Sequence, residues 1–199
     1  MDKPLFDSPL DMFWHAVRHG SERIALSSEH YDLSYSEFAA AVVSLARQIR
    51  AFEKNRPKVA IILPSGIEFC CAVYAGWQAN GIISTHNSLQ PEAALESQFL
   101  LVKPELVIAP PEQQEVLERI APGADYIFLR EGSFAANKAV VGSAPDWPVA
   151  APDDLSLLLF TGGTTGVAKS VEHSFATISA SVRGMEHAWP TETGKEIWL

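Results

Sequence analysis

Val59–Leu63 reads VAIIL, a short apolar run with no polar face. A strand with one wetted side alternates apolar and polar residues. An unbroken run fits a strand covered on both sides, as in a parallel sheet. Apolar runs return at Ile82-Ile83-Ser84, Leu106–Ala109, Tyr126–Leu129 and Leu155–Phe160. Between them stand helical segments from Gly66 to about Asn80, over Pro91–Val102 and over Pro111–Ile120. Strands alternating with helices of about ten residues or more predict an α/β fold. The expected architecture is a parallel-rich sheet flanked by helices on both faces, with right-handed crossovers.

The helix boundaries carry their own signals. Ser8-Pro9 is a cap residue followed by proline at the first helical position, and the helix it opens runs through Phe13, Trp14 and Val17 to near Gly20. Ile24–Ser27 and Tyr31–Leu33 read as short strands around a polar turn. Ser34-Tyr35-Ser36-Glu37 is a capping box, followed by an apolar face of Phe38, Ala41, Val42, Leu45, Ala46 and Ile49. Ser65-Gly66-Ile67-Glu68 repeats the box pattern, and Gly81 is placed to end that helix in the left-handed conformation.

Residues 131–152 contain Gly132, Gly142, Pro145, Pro148 and Pro152 and read as a long irregular connection. Such a length is unusual inside a compact domain. It divides the chain into an α/β subdomain (1–130), the connection (131–152) and a segment over 153–199. A last amphipathic helix is expected over about Glu172–Trp189. Glu196–Leu199 reads as the start of another strand, which leads us to expect the N-terminal part of a longer domain.

Composition narrows the function classes. Apolar residues make up 47% and charged residues 20% of 199 residues, a globular balance. Lys and Arg total 15 against 24 Asp and Glu, for a formal net charge of -9, with no basic cluster of the kind nucleic acid requires. No apolar run reaches membrane-spanning length, and Met1–Trp14 has no signal-peptide core. A cytoplasmic protein without nucleic-acid partner or membrane insertion is expected. Cys70 and Cys71 are adjacent, a poor geometry for a disulfide, and are expected to be small buried hydrophobes.

The chemistry lies after the last strand run, in Thr161-Gly162-Gly163-Thr164-Thr165-Gly166-Val167-Ala168-Lys169. Glycines let backbone N–H groups approach a ligand closely. Successive inward N–H groups form anion-binding concavities, and a helix N-terminus just beyond would add favourable potential for phosphate. Thr161, Thr164 and Thr165 offer hydroxyls, and Lys169 offers positive charge. A rival reading is a Walker A loop, since Gly163–Ser170 differs from G-x-x-x-x-G-K-[ST] only by Ala168 at the second glycine. A plain Gly/Thr-rich surface turn is the third.

Leu158 followed by Thr161–Lys169 resembles the signature phosphate loop of the adenylate-forming superfamily. That superfamily includes acyl- and aryl-CoA synthetases, acyl-ACP ligases, non-ribosomal peptide adenylation domains and luciferases. Ala168 stands where these proteins most often have proline, Ser170 replaces a common glycine, and Phe175 sits where histidine is frequent. Val171 and Ser174 fit the continuation. Upstream, Leu33–Phe38 with Ala40, Leu45 and Ala46 resembles the family's early helix. Val59–Leu63, Glu68, Ala72, Ala75 and Ala79-Asn80-Gly81 resemble its next strand and helix, and Leu106–Ala109 the strand after that. Thr85-His86-Asn87 departs from a proline-containing segment.

The resemblance implies an ATP-dependent ligase that activates a carboxylic acid as an acyl-AMP for transfer to CoA or an acyl carrier protein. It assigns Thr161, Thr164 and Thr165 to phosphate hydrogen bonds, Gly162, Gly163 and Gly166 to backbone approach, and Lys169 to charge. Mg2+ is implied by the polyphosphate, with no dedicated acidic metal ligand and no catalytic side chain assigned in this chain. A non-catalytic phosphate-binding module of the same fold is the alternative, ahead of a P-loop NTPase. His86, His173 and His187 are read as ordinary surface or capping histidines, Trp14, Trp77 and Trp147 as packing residues, and Glu92 and Glu96 as a solvated helix face.

Overall fold

Ser8 and Ser34 open the first two helices, α1 (Pro9–Gly20) and α2 (Tyr35–Arg50), in the way their positions predict. The Asp11 amide donates to Ser8 Oγ at 3.1 Å. At Ser34 the box closes: the Glu37 amide donates to Ser34 Oγ at 3.3 Å, and the Ser34 amide donates to the Glu37 carboxylate at 2.9 Å. Both interactions satisfy N–H groups that a helix start leaves without intrahelical partners. The chain is described by a computed structural model covering residues 6–136, 139, 141–161 and 169–189.

Short strands β1 (Ile24–Ser27) and β2 (Asp32–Ser34) pair antiparallel as a separate two-stranded sheet between α1 and α2. Then the predicted alternation begins: β3 (Lys58–Ile61), α3 (Ile67–Gln78), β4 (Ile82–Thr85), α4 (Glu92–Val102) and β5 (Leu106–Ala109). A 3₁₀ turn (Pro111–Gln113), α5 (Gln114–Ile120) and β6 (Asp125–Phe128) complete it. The described part of 131–152 holds turns and no helix or strand. The chain closes on β7 (Leu155–Thr161), β8 (Lys169–Ser174) and α6 (Phe175–Ala188).

The main sheet has six strands in the order β6-β5-β3-β4-β7-β8. Its first five strands in that order are mutually parallel, and β8 returns antiparallel to β7. The pleat sorts β3 into two cores, because successive side chains point to opposite faces. Val59, Ile61 and Leu63 join a core with residues of α1, α2 and α3, including Phe13, Leu45 and Ala72. Ala60 and Ile62 join a second core with Leu95, Phe99 and Leu117 of α4 and α5. This two-sided burial is why the run VAIIL has no polar face. Each fully buried Leu, Ile or Phe contributes about 1.5–3 kcal/mol.

Three local expectations are corrected. Ser65 and Glu68 form no capping box, since α3 starts at the N-cap Gly66 without a side-chain cap. Glu68 turns instead to accept from Tyr31 Oη at 2.6 Å and the Gly132 amide at 2.9 Å. The left-handed residue ending α3 is Asn80 (φ 65°), not Gly81. The Asn80 and Gly81 amides donate to the Trp77 and Gly76 carbonyls, the paired bonds of a Schellman end. A side chain on Gly81 would meet Gly76 O at 3.0 Å and Pro57 O at 3.2 Å, so close approach rather than φ calls for glycine there. Third, the last helix starts at Phe175 rather than Glu172: residues Lys169–Ser174 pair with β7, and Ser174 caps α6 by accepting from the Thr177 amide.

Candidate functional site

The winding of the sheet places the site. From β3 the chain crosses through α3 to β4, and from β4 it crosses back through α4 to β5 on the far side of β3. The connections leaving β3 and β4 therefore diverge to opposite faces. In open α/β sheets the crevice outside the carboxyl ends at such a point is where ligands bind. A cleft of about 370 Å³ opens here, between Leu63, Ser65 and Phe69 on one side and Thr85, His86 and Asn87 on the other.

Strand β7, parallel to β4, ends at this same edge at Thr161, the first residue of the glycine-rich motif. Arg56 Nη2 donates to Leu155 O at 2.6 Å while its Nη1 lies 3.2 Å from the Asp154 carboxylate. The Trp77 indole donates to Ser156 O at 2.9 Å. Ser156 Oγ donates to His173 O at 3.2 Å, tying β7 to β8 near the base of the hairpin. The ring of Trp77 also stands edge-on to Phe175, centroids 5.6 Å apart, which locks the start of α6 against α3.

From that anchored base the β7–β8 ladder runs outward through Leu157↔His173, Leu158↔Glu172, Leu159↔Val171 and Phe160↔Ser170 to Thr161↔Lys169. Thr161 and Lys169 are both exposed. Directly opposed residues of an antiparallel pair project from the same face. The register thus puts Thr161 and Lys169 on one face, at the residues that flank the glycine-rich loop. Gly162, Gly163, Thr164, Thr165 and Gly166, with Val167 and Ala168, lie outside the described residues. An exposed cation beside an exposed hydroxyl suits a polyanion such as a nucleotide phosphate chain.

The hairpin changes two sequence-based readings. The helix N-terminus expected directly behind the loop is not there: Lys169 opens the six-residue strand β8, and α6 starts only at Phe175. Helix-terminal potential acts within about one turn, so the N-terminus of α6 adds nothing for a phosphate held at Thr161 and Lys169. The Walker A reading loses its context for the same reason. That motif continues from its Lys and Ser/Thr into a helix, whereas Lys169 and Ser170 are strand residues.

His86 is the residue that sequence reasoning placed wrongly. It is buried, at 5% exposure, rather than on the surface. Nδ1 lies 2.7 Å from Gln98 Oε1 and Nε2 2.9 Å from Ser84 Oγ. Since the Gln98 carbonyl can only accept, Nδ1 carries the proton and Nε2 accepts from the Ser84 hydroxyl. Burial lowers the imidazole pKa to about 4, against a smaller opposing effect of the Gln98 bond. The ring is packed edge-on to Phe99 (5.2 Å) and tilted against Phe160 (5.1 Å). A signal was available: Ser84 and His86 share the parity of β4, so a strand continued through His86 points it at α4.

The other candidates take bland places. His173 is half-buried in β8 and His187 is exposed in the last turn of α6. Trp14 donates to Gln78 Oε1 at 2.8 Å in the core, and Arg50 sits over the Trp147 ring at 5.0 Å. Glu92 pairs with Arg119 at 2.9 Å on the surface. Cys71 is buried and Cys70 half-buried, both unbonded, and burial raises both thiol pKa values. Among the described residues no helix is long and apolar enough to cross a membrane.

Comparison with known proteins places this geometry. The mitochondrial malonate–CoA ligase ACSF3 of Mus musculus is 25% identical over 196 residues, which cover 92% of this chain and 33% of that protein. The chain thus spans about a third of the length of this curated relative. Among solved structures, VinN in complex with 3-methylaspartate superposes with a TM-score of 0.79 at 16% identity, over 92% of this chain and 51% of that one. ATP-bound MatB from Rhodopseudomonas palustris gives 0.75 at 19% identity, over 89% and 37%. At such identities these two show the shared α/β fold. A family profile described as AMP-binding enzyme matches residues 12–199, nearly the whole chain, and the chain belongs to that family.

Proposed function

We propose that this chain is the N-terminal part of an ATP-dependent ligase that activates a carboxylic acid as an acyl-AMP and passes the acyl group to CoA or an acyl carrier protein. The observation that carries the reading is the pairing of Thr161 with Lys169 at the carboxyl edge of the parallel sheet, in a chain of the AMP-binding family. The curated relative named above is a malonate–CoA ligase, and one solved relative holds ATP.

In this reading Thr161, Thr164 and Thr165 donate hydroxyl hydrogen bonds to the β- and γ-phosphates. Gly162, Gly163 and Gly166 let main-chain N–H groups reach the same oxygens, and Lys169 neutralises their charge. ATP supplies an electrophilic α-phosphorus and, with Mg2+, a pyrophosphate leaving group. The acid's carboxylate oxygen forms the new bond to that phosphorus as the α–β bridging bond breaks. Such in-line displacements depend on positioning and charge neutralisation more than on covalent help from the protein. The division into residues 1–130, 131–152 and 153–199 belongs to the same proposal.

The test is acid-dependent exchange of labelled pyrophosphate into ATP by the full-length protein that carries these residues. A panel of dicarboxylic, fatty and aromatic acids with Mg·ATP is expected to yield at least one active acid. No exchange with any acid, alongside measurable Mg·ATP binding, would instead identify a non-catalytic nucleotide-binding protein.

A further inference from the structure

The parallel ladder between β4 and β7 has its last registered pair at Ser84↔Leu158. Strand β7 continues beyond it to Phe160 and Thr161, paired there with β8 alone. On the β4 side the tie is made by side chains. Ser84 in β4 and His86, one residue beyond its end and still bonded through its amide to Ile61 O, share one face, and Leu158 and Phe160 share the same face of β7. The registered pair therefore leads directly to His86 beside Phe160, and the two rings lie 5.1 Å apart at 33°.

The imidazole is itself braced. Ser84 Oγ and Gln98 Oε1 hold its two nitrogens. Gln98 is held in turn by Gln90 through two amide hydrogen bonds of 3.1 Å. Phe99 closes the ring's remaining side. This network, buried at Ser84 and His86 and half-exposed at Gln98 and Gln90, anchors Phe160, the residue before Thr161, to α4 and the end of β4. A buried polar group whose hydrogen bonds are all met holds one geometry, since any other leaves it unpaired.

We propose that His86 is a positioning residue for the glycine-rich loop: braced by Ser84 and Gln98, its ring holds Phe160 and thereby the Thr161–Lys169 end of the β7–β8 ladder. The role in catalysis rests on the function proposed above. The anchoring of the ladder does not. His86 acts through Phe160 on the Thr161–Lys169 pair, and in general a positioning group misplaced by about 1 Å can cost about 100-fold in rate.

The experiment uses the full-length protein with His86→Ala and, because a cavity at His86 could prevent folding, also Phe160→Leu, which keeps the site apolar. Hydrogen exchange is read at the amides of Phe160, Thr161, Lys169 and Ser170, with β5 amides as the control for global stability. Tenfold or greater acceleration at the ladder end, with β5 unchanged, is expected in each variant that folds. In pyrophosphate exchange the KM for Mg·ATP should rise tenfold or more while the KM for the acid stays fixed. Unchanged exchange at the ladder end would overturn the proposal. So would a loosened ladder with an unmoved KM for ATP. If the wild-type protein exchanges pyrophosphate with no acid, the ligase reading falls, and the hydrogen-exchange arm still decides what His86 does.

Discussion

Thr161 and Lys169 are the outermost registered pair of the β7–β8 ladder, and both are exposed. The strands thus present hydroxyl and ammonium groups together at the two feet of the glycine-rich loop. Lys169→Ala in the full-length protein should cost the net worth of one charge-assisted hydrogen bond, about 1.5–3 kcal/mol. That corresponds to roughly a 10- to 100-fold fall in kcat/KM for ATP. Stability should move by no more than about 0.5 kcal/mol, as for other surface substitutions. Unchanged pyrophosphate-exchange kinetics would remove Lys169 from the site.

Trp77 is the side chain from α3 that holds the root of β7. Replacing it with Phe keeps an aromatic ring against Phe175 but removes the donor to Ser156 O. A buried acceptor left unpaired costs about 1–3 kcal/mol. Urea unfolding should show a lower midpoint with an unchanged slope. An unchanged midpoint would mean that water or a neighbour replaces the indole without loss.

His86 gives the stability a pH signature. Its pKa falls from 6.5 to about 4 on folding, chiefly through burial. Between those values the unfolded chain binds a proton that the folded chain refuses, so stability rises with pH across the window. Its contribution is fully present above about pH 6.5 and is lost as pH falls toward 4, by about 3 kcal/mol. The difference between the stability–pH curves of wild type and His86→Asn isolates this from carboxylate titration. Parallel curves from pH 7 to 4 would show that folding leaves the His86 pKa unshifted and that burial does not penalise its charged form.

The alternation of strands and helices was legible because burial on both faces leaves a strong trace: runs such as Val59–Leu63 and Leu106–Ala109 have no polar side. Caps were legible where one local interaction decides them, as at Ser34 and Glu37. The box at Ser65 failed because Glu68 had a distant alternative, Tyr31 and Gly132, that no local pattern discloses. The segment after the loop was misread for a similar reason. Lys169–Ser174 is a strand because β7 offers it a ladder, a tertiary choice that overrides helical periodicity. In the candidate site, the loop motif singled out Thr161 and Lys169 as phosphate-binding candidates, but not that they would be cross-strand partners. His86 lay hidden in a short polar stretch whose burial comes from α4.

A polypeptide of these 199 residues by itself is expected not to make acyl-AMP. It spans 33% of the length of mouse malonate–CoA ligase, and its candidate grip on ATP is confined to the polyphosphate end. Adenylation requires the acid's carboxylate and the α-phosphorus to be held together in attack geometry, which is worth about 7–11 kcal/mol of the barrier. Phosphate contacts alone leave base, sugar and acid unfixed, so nucleotide binding should be weak and hardly selective between ATP and GTP. Two measurements on the purified chain check this: calorimetric titration with Mg·ATP and Mg·GTP, and acid-dependent pyrophosphate exchange with the acid panel used for the full-length protein. Weak, similar binding of both nucleotides without exchange is the expected outcome. Robust exchange with any acid would overturn it and locate the acid and adenine sites among residues assigned here to packing, with the cleft between Phe69 and His86 the first place to mutate.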